Sequence, residues 1–432
     1  MIQKSIWAQF IGLVEIIDPI RKPDVPLEGS WNYNNSLIML NLFSKSRRFR
    51  IRLLAAVFFA LCGLAVSAAP VQAQQKTVRI GSFLAVTGQG SFIGAPALAT
   101  LKLYIDLLNL QGGLLGRKVE LIDYDVGIDT RTAQTAIRRL IDIDKVDAII
   151  GGSTTGAAMS VLPIIQQARI PFLALAGSTA LVSPLRKWVF KTSQTDRMAC
   201  GKILSDMKKR GVRFLGLISG DGGFGRSMRA HCLDIAKNIN INVIADEIYR
   251  AQSRRVVEPL KRIKLKKNVQ AVLNVGFGSS PAYVTQNFRK LGFEVTLYQT
   301  HGVATQDFLD FAGTAADGVR LPVPPIVIAD KLPPNDPIKS ILKSYMRLYK
   351  KRWDVEPSVY GTHAFDAIRL YALAVRRAGS FDREKIRQAL ESTNGYVGAN
   401  GVVKMSPKDH LGLDFNAFRM VEIQSGEWVP IE

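Results

Sequence analysis

The chain has 432 residues, of which 47% are hydrophobic and 22% are charged, a composition that argues against intrinsic disorder and provides for two or more hydrophobic cores. Lysine and arginine outnumber aspartate and glutamate by 57 to 36, so the formal net charge is +21 at pH 7. The basic residues are dispersed in short clusters without interleaved aromatic residues, a pattern typical of solvated helix faces. We therefore expect no nucleic-acid partner; the excess charge favours the approach of anionic ligands or lipid head groups.

The first recognisable element in chain order has the layout of a secretory signal peptide. A basic stretch at 45–52 precedes an apolar run at 53–66, and small residues follow up to Ala73. The apolar run is too short to cross a bilayer comfortably, so cleavage is favoured over anchoring. We expect residues 1–38 to be a non-native extension, residues 39–73 to be a signal peptide cleaved after Ala73, and the mature protein to be periplasmic.

Beyond residue 76, short apolar and β-branched runs alternate with longer segments of helical periodicity. The first unit contains predicted strands at 78–82, 119–124 and 148–151. The alternation restarts after a predicted helix at 196–209, with strands at 214–219, 243–248 and 271–275. Such alternation implies parallel sheets covered by helices, so we predict an α/β fold with two parallel-sheet units in tandem.

The last third of the chain contains a predicted extended crossing, three helices and two strands. The crossing lies at 318–325, where Pro322, Pro324 and Pro325 cannot continue a helix. The predicted helices lie at 337–352, 360–378 and 383–392. The predicted strands lie at 417–423 and 428–431.

Two cysteines, Cys200 and Cys232, fall on predicted helices that flank one strand. In an oxidising compartment such a pair can persist as a disulfide, and two buried thiols are the alternative. A bond would close a loop of about 30 residues and contribute roughly 3 to 4 kcal/mol to stability.

A glycine motif supports a remote alternative, an NAD-dependent enzyme. Gly220, Gly222 and Gly225 form G-x-G-x-x-G directly after a predicted strand, and two acidic residues follow about twenty residues later. The motif lies in the second unit of an exported chain, where free NAD is scarce. The sequence contains no phosphate-binding loop, zinc-ligand spacing or G-x-S-x-G motif. We therefore expect no catalytic residues, cofactor or metal, and we interpret three histidines as structural or surface residues: His231, His363 and His410.

Several ordered motifs together resemble the Leu/Ile/Val-type (type I) periplasmic solute-binding proteins of ABC transporters. They are Thr87-Gly88, the helix end Asn-Leu-Gln-Gly-Gly-Leu-Leu-Gly-Arg at 109–117, Asp-Tyr-Asp at 123–125, the strand end at 146–151 and Phe-Asp-Ala at 365–367. The resemblance covers 78–429. It implies two Rossmann-like lobes joined by three hinge crossings, with lobe one at 76–192 and 323–402 and lobe two at 193–322 and 403–432.

The resemblance also implies that a ligand lies between the lobes. Thr155 lies at the position where members of the family use a side-chain hydroxyl to contact the ligand carboxylate. A second loop that contacts the carboxylate in the family corresponds to Ala176, Gly177 and Ser178. Helix capping is the structural alternative for Thr155 and Ser178. Aromatic contacts to the ligand body are implied for Phe224, with Phe277 and Phe92 completing an apolar wall, although phenylalanines are more often core residues.

The chain departs from the family at His301, which replaces the acidic residue that pairs with the ammonium of amino-acid ligands. An imidazole cannot take that role, so we expect a carboxylate ligand that lacks an α-amine, such as an aromatic or branched 2-oxo acid. A branched-chain amino acid is the family default, and Asp307 is the alternative partner for its amine. The resemblance implies delivery to an inner-membrane ABC permease; a ligand-sensing receptor of the same fold is the alternative.

Overall fold

The computed structural model describes residues 77–251 and 253–431, and these residues belong to one unit, Lys76–Glu432. The predicted N-terminal extension at 1–38 and signal peptide at 39–73 lie outside the described residues.

The first sheet consists of five parallel strands in the order β2-β1-β3-β4-β5. The strands are β1 (Val78–Leu84), β2 (Val119–Asp125), β3 (Ala148–Gly151), β4 (Phe172–Ala174) and β5 (Val189–Lys191). The helices between them are α1 (Ser91–Leu110), α2 (Thr130–Asp142), α3 (Thr155–Ser160) and α4 (Leu162–Ala168). The three strands predicted for this unit are confirmed. The sequence analysis did not predict β4 and β5, because three-residue strands are too short to show a periodicity.

The second sheet has seven strands in the order β14-β13-β10-β9-β8-β6-β7. Its first strands are β6 (Phe214–Gly220), β7 (Asn242–Tyr249), β8 (Ala271–Val275), β9 (Thr296–Gln299) and β10 (Arg320–Val323), all parallel to their neighbours among these five. The accompanying helices are α5 (Asp196–Lys209), α6 (Gly223–Asn238), α7 (Val257–Lys264), α8 (Ser280–Lys290) and α9 (Gln306–Ala312). Both predicted parallel-sheet units are therefore present.

The last third of the chain returns to the first sheet and then to the second. Its elements are α10 (Pro337–Trp353), α11 (Val359–Ala378), α12 (Arg383–Glu391), the hairpin β11 (Asn394–Val397) and β12 (Val402–Lys404), and the antiparallel strands β13 (Arg419–Gln424) and β14 (Glu427–Pro430). Helix α11 packs against α1, whereas β13 pairs with β10. The chain thus passes between the two halves three times: after β5, after β10 and after β12.

One predicted crossing differs from the structure in its role. The middle of the predicted segment is extended as expected, and Arg320–Val323 within it form β10, hydrogen-bonded to both β9 and β13. The prediction is wrong at the ends, because Gly318 lies in a turn and Pro325 begins the 3-10 helix Pro325–Ile328. Proline dictates extended geometry but does not reveal whether a neighbouring strand lies alongside. The passage between the halves therefore follows β10. We call the first sheet with α1–α4 and α10–α12 the first lobe, and the second sheet with α5–α9 the second lobe.

The end of α1 shows why a motif of paired glycines is needed there. Gly112 and Gly113 have φ angles of 90° and 78°, in the left-handed region that favours glycine. A Cβ atom on Gly113 would lie 1.9 Å from the carbonyl oxygen of Arg117. The backbone can turn into β2 only without that side chain.

The structure settles the alternatives for the cysteines. Cys200 on α5 and Cys232 on α6 form a disulfide. The bond joins two helices that pack against each other beside the second sheet. In an exported protein this link is compatible with the oxidising compartment.

Among the described residues, one segment, Gly88–Leu110, is long and apolar enough to cross a membrane. Half of its most apolar 18-residue stretch is buried inside the protein, and helix α1, which this segment contains, packs against α11. The apolar character of α1 is therefore that of a core helix.

Candidate functional site

The loops that follow the strands of both lobes meet across a cleft and enclose an inner cavity of about 50 Å³. Parallel strands place such loops at the carboxyl edge of each sheet, where α/β folds bind ligands. The cavity is lined from the first lobe by Ile93, Ser153, Thr154, Thr155, Leu175, Gly177, Tyr360 and His363, from the second lobe by Phe224, Phe277, His301 and Gly302, and from the first crossing by Gln194.

The lining combines apolar walls with polar atoms that lack partners. Nδ1 of His301, Nε2 of His363 and Oε1 of Gln194 are buried, and none has a hydrogen-bond partner among the described residues. The Thr155 hydroxyl likewise makes no hydrogen bond within this part of the chain. Because buried polar groups are normally paired, these atoms indicate a site that a polar ligand completes.

The two histidines of the lining are neutral at physiological pH. Desolvation and the charge of nearby Lys191 lower the pKa of His363 to about 3. Desolvation lowers the pKa of His301 to about 4, although the charge of Asp196 partly opposes the shift. His301 is partly exposed as a whole residue, but its Nδ1 atom is buried. A neutral imidazole offers one N–H donor and one acceptor, so the unpaired Nδ1 of His301 can donate to a carboxylate while the ring carries no charge.

The described inner lining contains no aspartate, glutamate, lysine or arginine. The buried carboxylate of Asp196 lies close enough to act on His301 electrostatically, but it is already satisfied. It accepts hydrogen bonds from the backbone N–H and the hydroxyl of Thr179 and from the hydroxyl of Ser227. The inner cavity therefore has no free carboxylate for a ligand ammonium.

The lobes are in contact around the cavity, as in a closed form. The hydroxyls of Ser178 and Ser227 lie 2.7 Å apart, and the Tyr360 hydroxyl donates to the carbonyl oxygen of Gly302 at 3.1 Å. The start of α6 approaches α3 so closely that a Cβ on Gly223 would lie 3.2 Å from the backbone of Gly156. These contacts hold the two walls of the cavity together.

The structure brings five of the eight predicted ligand contacts together on the inner lining: Thr155, Gly177, Phe224, Phe277 and His301. The phenylalanine rings of 224 and 277 pack edge to face, and Phe224 also packs against His301. The sixth residue, Phe92, lines an adjoining outer cavity. The remaining two, Ala176 and Ser178, are buried beside Gly177 but do not line either cavity.

Ser178 and Asp307 occupy positions that change their interpretation. Ser178 accepts a hydrogen bond from the backbone N–H of Ala180 and bonds Ser227, so its hydroxyl caps a turn and holds the lobes together. Asp307 lines the outer cavity and is absent from the inner lining, so it does not lie beside His301 in the inner wall.

Sequence reasoning missed several lining residues, and one of them requires a correction. His363 was interpreted as a structural or surface histidine, but it lies in the cavity lining with Tyr360, on the first turns of α11. Helical periodicity gave that helix but could not show which face points at a cleft. Ser153, Thr154 and Leu175 follow β3 and β4, and the rule that strand ends form the site could have found them. His410, in contrast, is structural: it is buried between Glu391 and the carbonyl oxygen of Val189.

The glycine motif after β6 has a packing role in the structure. A Cβ atom on Gly225 would lie 1.8 Å from the carbonyl oxygen of Gly220, so α6 can begin there only with glycine. The cavity next to this motif measures about 10 Å³ and is bounded by Tyr249. That space holds at most about one water molecule, which leaves no room for a dinucleotide pyrophosphate. Among the described residues there is also no group of three His, Cys, Asp or Glu residues that could hold a metal ion.

A family model described as "Periplasmic binding protein" matches residues 77–427, which is most of the chain and includes both lobes up to the start of β14. The chain belongs to the periplasmic binding protein family. The predicted type I fold is confirmed by solved structures. An extracellular ligand-binding receptor from Rhodopseudomonas palustris HaA2 is 25% identical to this chain and has a TM-score of 0.77, and the match covers 83% of this chain and 100% of its own.

Three further proteins extend the comparison. The Leu/Ile/Val-binding protein homolog 8 of Brucella suis is 24% identical over 260 residues, or 56% of this chain, and the match spans 62% of the relative's own length. The leucine-, isoleucine-, valine-, threonine- and alanine-binding protein of Pseudomonas aeruginosa is 21% identical over 79% of this chain and 89% of its own. A branched-chain amino acid binding protein from Streptococcus pneumoniae, solved with isoleucine, shares the fold at 20% identity, with a TM-score of 0.71 and coverage of 82% and 99%.

Proposed function

We propose that this protein is the substrate-binding component of an ABC importer, which closes on a small hydrophobic carboxylate and presents it to an inner-membrane permease. The observation that carries the proposal is the closed cavity itself, because both lobes line it and three buried polar atoms inside it lack partners. The binding proteins for branched-chain amino acids among its relatives support transport as the role. We further propose that the protein acts in the periplasm after cleavage at Ala73, with lobe boundaries at 76–192 plus 323–402 and 193–322 plus 403–432.

The proposed mechanism is a shift in population between open and closed forms. A ligand that contacts both walls at once stabilises the closed form, in which Tyr360 and Ser178 reach across to the second lobe. The three passages between the lobes are the segments that would flex. The permease would then recognise the closed shape.

The neutral lining favours a carboxylate without an α-amine. An ammonium placed in the inner cavity would lose its water and find no carboxylate, a costly desolvation. A carboxylate instead meets the Thr155 hydroxyl and the unpaired Nδ1 of His301. Aromatic acids and branched 2-oxo acids meet these requirements.

Matched pairs of ligands test this proposal directly. Isothermal titration calorimetry would compare leucine with 4-methyl-2-oxopentanoate and phenylalanine with phenylpyruvate, because each pair differs only at the α-position. We expect the oxo acid of at least one pair to bind more than tenfold tighter than its amino acid. Tighter binding of the amino acids would restore branched-chain amino acids as the ligand and refute the argument from His301.

Substitutions in the lining test the location of the binding site and the class of ligand separately. Thr155→Ala and Phe224→Ala should each weaken binding, and unchanged affinity in both would refute the site. His301→Asp supplies the missing carboxylate and should shift the preference toward the amino acid of each pair. Asp310→Asn, on the exposed side of α9 and outside both cavity linings, is the control variant.

A further inference from the structure

A second cavity, of about 270 Å³, lies at the mouth of the cleft and adjoins the inner one. Gln89 and Phe92 of the first lobe form one side, and residues of the loops around α8 and α9 form the other. Gly302 lines both cavities. The ring of Phe92 packs against Phe277 and Tyr360, which belong to the inner lining, with ring centroids 6.2 and 5.6 Å apart. The two cavities therefore meet at these three rings.

The inner cavity alone is too small for a typical ligand. Its 50 Å³ corresponds to about four water molecules, whereas small-molecule sites usually measure about 300 to 1,000 Å³. Only the inner and outer cavities together reach the lower end of that range. A ligand of typical size whose polar end occupies the inner cavity therefore extends past Phe92 into the outer one.

The outer cavity has the chemistry of a subsite for an uncharged apolar group. Its wall includes Phe92, Val303 and Phe308, the last two of which are buried. Asp307 stands at its exposed side and forms no ion pair within the described residues. A carboxylate at the far end of a ligand would approach this like charge and lose affinity, whereas an alkyl or aryl group would bury apolar surface.

Given the proposed function, we infer that the outer cavity is a distal subsite of the same binding site and that the ligand is an elongated monocarboxylate with an uncharged alkyl or aryl end. Phe92 and Phe277 contact the middle of such a ligand. Asp307 excludes dicarboxylates of the same length. The inner cavity alone would not distinguish these ligands, so specificity for length and charge resides in the outer one.

Three acids test the inference by calorimetry on the purified protein: butanoate, octanoate and octanedioate. Octanoate should bind at least about tenfold tighter than butanoate, because its last four carbons are buried in the outer cavity. Octanedioate should bind at least about tenfold weaker than octanoate, because its second carboxylate meets Asp307.

Two substitutions locate these differences in the outer cavity. Gln89→Trp, at an exposed position, fills the cavity from the solvent side and should weaken octanoate about tenfold while changing butanoate less than twofold. Asp307→Asn should strengthen octanedioate about tenfold without changing octanoate. Asp310→Asn, an exposed neighbour outside both linings, is the matched control and should leave all three affinities within twofold, and a melting temperature for each variant verifies folding.

The outcomes distinguish this inference from the proposed function. If octanoate and butanoate bind with equal affinity, or Gln89→Trp weakens both alike, the outer cavity is not a subsite although the protein binds carboxylates. If Asp307→Asn leaves octanedioate unchanged, charge exclusion by Asp307 is refuted. If neither monocarboxylate binds to the wild-type protein, the proposed carboxylate function fails and the inference fails with it.

Discussion

Lys191 offers a quantitative prediction, because its ammonium group is buried at the start of the first passage between the lobes. It is the last residue of β5 and is completely shielded from solvent. Its Nζ donates to the carbonyl oxygens of Ser193 and Gln194 and to the Ser193 hydroxyl. Desolvation lowers the pKa of Lys191 to about 7, and the opposing charge of Asp196 only partly offsets this.

The sign of the resulting pH dependence follows from the two states. In the unfolded chain the lysine has a pKa of 10.5, so between pH 7 and 10 the unfolded state binds a proton that the folded state releases. The free energy of unfolding must therefore rise with pH in this window. A folded pKa near 7 gives a gain on the order of 2 kcal/mol between pH 7 and pH 9.

Replacement of Lys191 by methionine tests this value. Lys191→Met removes the hydrogen bonds of Nζ together with its titration, so the variant lacks the pH dependence that Lys191 adds to the unfolding free energy. Urea unfolding followed by tryptophan fluorescence at pH 7, 8 and 9 should give a smaller rise in unfolding free energy for the variant than for the wild type. The exposed Lys266→Met is the control and should retain the wild-type slope. Parallel pH dependences for wild type and Lys191→Met would refute the buried-ammonium argument.

Three further perturbations follow from named contacts. Removal of the disulfide in a Cys200→Ser, Cys232→Ser double variant should lower the free energy of unfolding by roughly 3 to 4 kcal/mol, because the bond links cysteines with a sequence separation of 32. Equal urea midpoints with and without the bond would contradict this. Asp366→Ala should cost about 3 kcal/mol or more, measured as the loss of unfolding free energy in urea. The reason is that its carboxylate accepts hydrogen bonds from the Tyr396 hydroxyl, the backbone N–H groups of Ala399 and Asn400, and the Asn400 side chain. An unchanged urea midpoint would show that these donors find other partners. Tyr360→Phe removes the hydrogen bond to Gly302 across the cleft and should weaken ligand binding about fivefold, which corresponds to about 1 kcal/mol. Small-angle scattering should also show a more open ligand-free protein for this variant. An unchanged affinity would mean that closure does not depend on this bond.

The candidate site could be predicted in part because its loops follow strands that have a strong sequence signal. The family resemblance implied Thr155 and Phe224 as ligand contacts, and the predicted alternation of strands and helices agrees with this, because Thr155 follows β3 and Phe224 follows β6. The glycines at 112 and 113 were recognisable because a left-handed backbone restricts the choice of residue. His301 was recognisable only through comparison with the family.

Other parts of the site could not be predicted, because they depend on which distant segments meet. His363 and His301 are 62 positions apart and approach each other only because α11 returns to the first lobe and faces the cleft. Nothing local distinguishes the inward face of α11 from its core face, since both are buried. The pairing of Cys200 with Cys232 also depended on α5 and α6 packing side by side.

The sequence by itself determined the alternating α/β order, the two units and the positions of the turns, because strand and helix periodicity and glycine geometry are properties of neighbouring residues. The tertiary structure decided which polar atoms remain unpaired inside the cleft, which acid lies outside it and that an apolar cavity continues past Phe92. Those features arise from side chains that the three passages between the lobes bring together from distant parts of the chain. Burial, the lack of hydrogen-bond partners and cavity volume are properties of that assembled surface, and no single segment carries them.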